Sequence, residues 1–180
     1  MMRPHPHADA VPRSVCCAVV TVSDRRFAQR QSEGGVSAEA LEDTSGQWIQ
    51  MQLEAAGHRV VNYDLLPDEP TLIREKLQQL ASQGEVQVAI FNGGTGIAPR
   101  DTTYDAIAGL LDKELPGFGE LFRALSYLEI GSRAIASRAT AGVCGHLLVF
   151  SLPGSTAAVA LAMEKLILPE LGHLTQLLQT

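Results

Sequence analysis

Strand-like and helix-like segments alternate along the chain, which predicts an α/β layered domain with a mainly parallel sheet. Three observations carry that expectation. The run Val86 to Phe91 is apolar and β-branched, the pattern of a strand buried on both faces. It is cut off by Gly93, Gly94 and Gly96, followed by Arg100-Asp101 and a helix-like start at Thr102-Thr103. Finally, the strand-like runs end at Ser23-Asp24, Leu66-Pro67-Asp68, Asn92-Gly93-Gly94 and Leu152-Pro153-Gly154. In an open parallel sheet such ends share one edge, where ligands bind.

Totals narrow the field. A chain of 180 residues with 46% hydrophobic and 19% charged residues is long enough for one domain with a proper core. A formal net charge of −6 argues against a nucleic-acid surface. Charged residues or Pro interrupt every apolar run before membrane-spanning length, so no membrane partner is expected. The stretch Arg3 to Arg13 is polar rather than signal-like, and the cytoplasm is the default location. Three cysteines make no disulfide framework, and without a C-x-x-C pair they read as small core residues.

Taken in order, residues 1–13 read as a disordered tail and 14–180 as a single domain. Ser14 to Val22 is the first strand, and the polar, Gly34-Gly35-containing stretch from Phe27 to Glu42 reads as a mobile loop. Asp43-Thr44-Ser45-Gly46 caps a helix carrying Trp48, Ile49 and Leu53 and stopped by Gly57. Val60 to Leu66 is the second strand. Pro67 to Pro70 opens a helix with Ile73, Leu77 and Leu80 on one side, ending near Gly84. The strand of the glycine loop is third. Thr102-x-x-Asp105 reads as a capping box for a short helix through Leu111. Pro116-Gly117-Phe118-Gly119 reads as a break before a helix from Glu120 to Ile130. Ala134 to Ala141 and His146 to Leu152 read as strands of a small β-hairpin around Gly142 to Gly145. Pro153-Gly154-Ser155 turns into a last helix holding Val159, Met163 and Leu166, which Pro169 bends or ends. His58, after a helix-ending glycine, reads as a surface residue.

The glycine loop matches neither G-x-G-x-x-G nor the P-loop, so a ligand-free strand-to-helix turn is its plain alternative. As a functional loop it aims consecutive N–H groups at an anion. Asp68 and Asp101 each follow a strand. Each can be a helix N-cap, or the two can flank a phosphate with a divalent cation between them. Arg100 can neutralise that phosphate or pair with Asp101. The residues alone fit a nucleotide or a phosphorylated small molecule, with phosphoryl or nucleotidyl transfer as the reaction.

A resemblance sharpens this. Thr21-Val22-Ser23-Asp24-Arg25, Asp43-Thr44-Ser45-Gly46, Pro67-Asp68-Glu69, Gly93-Gly94-Thr95-Gly96 with Arg100-Asp101, Pro116-Gly117-Phe118-Gly119-Glu120, Ser137-Arg138 with Ala141-Gly142, and Leu152-Pro153-Gly154-Ser155 occur in that order. The sequence thereby resembles the molybdopterin-binding proteins of molybdenum-cofactor biosynthesis, nearest to the MoaB type. The resemblance implies a three-layer α/β/α, Rossmann-like fold assembled as a homotrimer or homohexamer. It implies molybdopterin as substrate and Mg2+ with ATP as co-substrate, the pterin phosphate being adenylylated with release of pyrophosphate. Asp68 and Asp101 would be the essential carboxylates, helping to position magnesium. Gly93, Gly94, Thr95 and Gly96 would hold phosphate, preceded by Asn92 where many relatives have threonine. Ser23, Asp24, Arg100, Ser137, Arg138, Pro153, Gly154 and Ser155 complete the expected binding set, with Ser137 and the Pro153-Gly154-Ser155 turn along the substrate groove. Other proteins of the same biosynthesis are implied partners. The MoaB branch also holds members that keep the fold without adenylylation, so a pterin-binding carrier is the alternative.

Overall fold

The computed structural model describes residues 14–32 and 43–178. The expected tail at 1–13 and residues 33–42 of the expected loop lie outside them. Strands β1 (Cys16–Val22), β2 (Arg59–Leu66), β3 (Val88–Asn92), β4 (Lys113–Glu114), β5 (Thr140–Cys144) and β6 (Leu147–Leu152) form one sheet in the order β2-β1-β3-β6-β5-β4. The β1/β2, β1/β3 and β3/β6 pairs are parallel, and only β5 runs against its neighbours. From β1 the chain steps outward to β2, then crosses back over β1 to β3. Strand order therefore reverses between β1 and β3, and the crevice beyond their carboxyl ends is the expected ligand edge.

Two-sided burial explains why β1, β3 and β6 are near-continuous apolar runs. Cys17, Val19, Val88, Ile90, Leu148 and Phe150 point into one core with Ile49, Leu53, Phe122, Val159, Met163 and Leu171. Ala18, Val20, Ala89, Phe91 and Val149 alternate into the other with Ile73, Leu77, Leu80, Ala106 and Ile107. Helices α2 (Thr44–Ala55), α5 (Pro116–Ile130), α6 (Thr156–Ala162) and α7 (Leu168–Leu177) thus cover one face, and α3 (Pro70–Gln83) and α4 (Thr103–Ala108) the other. This is the three-layer arrangement the resemblance implied. No helix among the described residues is long and apolar enough to cross a membrane.

Several local expectations are corrected. The segment read as a loop from Phe27 is helical through Ser32, as part of α1 (Asp24–Ser32), whose polar residues bury no side chain. Pro116 does not break the chain; it is the first residue of α5, where its missing N–H costs nothing. The strand expected from Ala134 begins only at Thr140, and Gly131–Ala136 is a 3-10 helix that buries Ala134 alone. The hairpin turn is Gly145-His146, with Gly145 at φ 61°, the positive angle a two-residue turn requires. Gly142 lies inside β5, where a Cβ would collide with the Lys113 carbonyl of β4. Pro169 bends rather than ends the last helix. A π turn at Met163–Ile167 precedes α7 and absorbs the lost hydrogen bond. His58 is buried, its Nδ1 accepting the Val15 N–H at 3.3 Å. Of the cysteines, Cys17 sits in the core, where burial pushes its thiol up to about 12, while Cys16 and Cys144 are half-buried.

Candidate functional site

The loop after β3 is shaped by close walls. Gly93 adopts φ 102° and donates its N–H to the Leu152 carbonyl at 3.0 Å, and a Cβ there would strike the Val22 carbonyl. Gly94, at φ 63°, lies against the Asp68 carboxylate and the Thr103 hydroxyl. Gly96 lies against the Asp101 carboxylate. Gly154, from the turn after β6, packs backbone to backbone, a Cβ on it coming within 3.0 Å of the Gly93 Cα. The Ser45 hydroxyl donates to the Gly154 carbonyl at 3.0 Å, which ties the start of α2 to the same turn. Ser155 accepts the Ala158 N–H at 3.3 Å and caps α6.

The two carboxylates beside this loop have different surroundings. Asp68 is buried, and its Oδ1 accepts the Thr102 N–H (3.1 Å), the Thr102 hydroxyl (2.7 Å) and the Thr103 hydroxyl (3.3 Å). It therefore secures the start of α4 rather than capping the helix that follows it. Glu69, with no side-chain cap bond, is the N-cap of α3. The capping box expected at Thr102-x-x-Asp105 is absent for the same reason. Thr102 gives its hydroxyl to Asp68, and the Asp105 carboxylate is taken by Arg138. Asp101 is half-buried and, among the described residues, accepts only the Ala98 N–H, at 3.1 Å, within its own turn.

The arginines are sorted as well. Arg100 donates from Nε to Asp24 Oδ2 at 2.7 Å and from Nη2 to Glu69 Oε1 at 2.8 Å, not to Asp101. That guanidinium, helped by the Asp68 N–H at 2.9 Å, holds the Asp24 carboxyl below the usual carboxylate range. Arg138 donates to the Thr95 carbonyl at 2.9 Å and to both Asp105 oxygens at 3.2 and 3.0 Å, and lies 4.7 Å above the Tyr104 ring. It clamps the glycine loop to α4.

Behind the loop a polar chain runs from buried Asn92, Thr21 and Asp43 out to Tyr63 on the edge strand β2. Asn92 donates to the Thr21 hydroxyl at 2.9 Å, and Thr21 donates to Asp43. Tyr63 donates to the same Asp43 oxygen at 2.6 Å, while Asp43 also accepts the Gly46 N–H at 3.0 Å to cap α2. Burial first, and then the bond to Asp43, pushes the Tyr63 phenol up. Sequence reading found Asp43 as a cap and Thr21 only as the start of the Thr21-Val22-Ser23-Asp24-Arg25 motif, and missed Tyr63, which no local pattern marks.

Two clefts flank the loop. One, of about 420 Å³, is lined by Ser23, Gly93, Gly94, Thr95, Gly96, Asp101, Ser137, Arg138, Pro153 and Gly154, with Arg26 and Arg133, which the sequence reading passed over. Its neighbour, of about 440 Å³, lies between the loop and α3 and α4, with Pro70, Arg74, Ile97, Ala98 and Pro99 in its wall. Gly96, Asp101 and Arg138 line both. Asp24, Asp68, Asn92, Arg100 and Ser155 line neither. Ser137 and Arg138 reach this rim because β5 is antiparallel, which brings its leading end to the carboxyl edge of β6. Among the described residues no group of three or more His, Cys, Asp or Glu is placed to hold a metal. Magnesium carried by a nucleotide asks for less, one or two carboxylates beside phosphate oxygens, and Asp101 is the carboxylate open to both clefts.

Fold and loop together define a doubly covered α/β domain with a glycine-lined rim at its switch point, the usual place for a ligand in such sheets. Comparison with known proteins narrows the class. Residues 18–173 match the family model described as "Probable molybdopterin binding domain". Molybdenum cofactor biosynthesis protein B of Bacillus cereus is 46% identical over 170 residues, covering 94% of each chain. The crystal structure of a Molybdenum cofactor biosynthesis protein B superposes with a TM-score of 0.83 at 46% identity, over 94% of this chain and 99% of that one. The tungsten cofactor synthesizing protein MoaB from Pyrococcus furiosus gives 0.78 at 36% identity, over 94% and 100%. The chain belongs to this molybdopterin-binding family of molybdenum-cofactor biosynthesis proteins.

Proposed function

We propose that the protein is a molybdopterin adenylyltransferase, joining the terminal phosphate of molybdopterin to the adenylyl group of Mg-ATP and releasing pyrophosphate. The observation that carries the reading is the pair of clefts sharing one wall of Gly96, Asp101 and Arg138. A reaction between two bound substrates needs adjoining sites, and a shared wall is where their reacting groups meet. Both substrates are anionic, so positioning and charge compensation supply most of the catalysis, with no side-chain nucleophile. The loop amides at Gly94 to Gly96 receive phosphate oxygens, the Gly93 N–H being taken by the Leu152 carbonyl, with Ser23, Ser137, Pro153 and Gly154 along the groove. Asp101 is the carboxylate that holds magnesium against the nucleotide. Bound there, the metal neutralises charge developing on the phosphates. Asp68 acts behind the loop as a positioning residue, and Arg100 keeps Asp24 in place to accept the Asp68 N–H.

The test is direct. Purified protein given molybdopterin, ATP and magnesium should form adenylylated molybdopterin and pyrophosphate, and chelating the magnesium should stop it. Pterin binding without any ATP-dependent product would select the carrier reading. Self-association belongs to the same proposal: Leu121, Tyr127, Leu128 and Ile130 leave 57, 61, 80 and 50% of their surface exposed over about the last two and a half turns of α5, more apolar area than a solitary helix carries well. A trimer or hexamer would cover it, and light scattering that finds a monomer at working concentration would remove that part.

A further inference from the structure

We infer that Arg26 and Arg133 form a second anion subsite in the 420 Å³ cleft, one that takes a diphosphate group. The inference rests on the adenylyltransferase reading, for it assigns the subsite to the phosphoanhydride tail of the nucleotide. The arginines in and beside this cleft divide in two. Arg100 is neutralised by Asp24 and Glu69, and Arg138 by Asp105. Arg26 and Arg133 line the cleft with no carboxylate partner among the described residues. A guanidinium does not lose its proton at any working pH, so each remains a full positive charge.

Arg26 carries the sharper sign. It sits in the first turn of α1, anchored by its own N–H to the Ser23 hydroxyl at 3.4 Å. Its Nε is shut off from solvent and has no acceptor among the described residues. Buried donors on charged groups are ordinarily satisfied, and an exception calls for an unseen acceptor. Acidic groups outnumber basic ones 20 to 14 in the chain, yet the cleft counts Arg26, Arg133 and Arg138 against Asp101 alone. The site is built to receive negative charge beyond what the glycine-loop amides receive.

Loop amides suit one phosphoryl group, whereas two free forks match the oxygens of two more. In the transfer, an oxygen of the pterin phosphate forms a bond to the α-phosphorus of ATP. The bond from that phosphorus to the bridging oxygen breaks, and its electron pair leaves on pyrophosphate. A subsite already holding the β- and γ-phosphates stabilises that leaving group without having to reorganise.

The experiment titrates inorganic pyrophosphate, and separately inorganic phosphate, into the full chain by calorimetry. Wild type should bind pyrophosphate about ten times more tightly than phosphate. Arg26→Gln and Arg133→Gln should each weaken pyrophosphate about 10- to 50-fold, with phosphate affected about twofold. Arg59→Gln, which removes an equal charge from an exposed position of β2, should change neither by more than about twofold. Arg26→Lys, which keeps charge but not the fork, should recover part of the loss, separating recognition from damage to the fold. Pyrophosphate bound equally by wild type and both Gln variants, or no better than phosphate by wild type, overturns the assignment. Adenylyl transfer in wild type alongside unaffected pyrophosphate binding in the variants sinks the arginines alone. Weakened pyrophosphate binding in a protein that makes no adenylylated product supports the subsite and removes the transferase reading.

Discussion

Glycines with positive φ stand on both rims of the sheet, and their neighbours differ. At the amino rim Gly57, Gly84 and Gly145 end helices or turn the hairpin, and a Cβ added to any of them meets nothing within 4 Å. At the carboxyl rim Gly93 and Gly94 have the same freedom of backbone but press against Val22, Asp68 and Thr103. Gly154 presses on Gly93 in turn. The amino-rim glycines are needed for their dihedral angle alone. Those of the carboxyl rim are needed because two loops and two aspartates converge without room for a side chain, which leaves glycine backbone as the wall of the cleft. Identical residues therefore mark a turn on one side and a tightly packed cleft wall on the other.

Substitution to alanine is the strongest way to break that comparison. Gly94→Ala should cost about 3 kcal/mol, a left-handed angle plus a collision with Asp68 and Thr103, and should abolish anion binding. Gly84→Ala should cost about 1 kcal/mol and leave binding unchanged. Denaturant unfolding and pyrophosphate titration on both variants check it, and equal costs would show that the rims do not differ. The aspartates come next. Asp101→Asn should lower adenylyl transfer about 100-fold while moving stability by less than about 0.5 kcal/mol, because an amide oxygen can still accept the Ala98 N–H. Asp68→Asn should cost about 2 kcal/mol of stability as charge-assisted bonds to Thr102 and Thr103 become neutral, and turnover should fall with the loop. If Asp68→Asn left unfolding unchanged, its role as the brace of the loop would be lost.

What could be read from the sequence follows the same division. The strands β1, β3 and β6 and the mainly parallel sheet were legible because burial on both faces forces continuous apolar runs, whereas the order of strands in the sheet was not. The glycine loop was legible as a cluster. The partners of Asp68 and Asp105 were not, because local spacing favours a cap for each, whereas the bonds actually made join residues 34 apart or 33 apart in the chain. Arg100 was read beside its neighbour Asp101 and instead reaches 76 residues back to Asp24. The start of β5 was misread because alternating small and apolar residues at Ala134 to Ala139 satisfy a 3-10 turn as readily as a strand. A two-residue strand such as β4 carries too little sequence to announce itself.

The amino rim offers the smallest test, and one that should leave the carboxyl rim untouched. His58 lies there, buried, with Nδ1 accepting the Val15 N–H at the start of β1. Burial lowers its pKa in the folded state below the ordinary value of about 6.5. The unfolded chain therefore takes up a proton at a higher pH than the folded one. The stability that the neutral ring provides is complete above about pH 6.5 and is lost as pH falls below it. In His58→Asn the amide oxygen can accept the same N–H and cannot titrate. Melting temperatures followed from about pH 7.5 to about pH 5.5 should fall further for wild type than for this variant, with pyrophosphate binding the same in both at the upper pH. Parallel pH profiles would show that the ring is accessible to protons in the folded state, and a change in pyrophosphate binding would show that the two rims are coupled through β1.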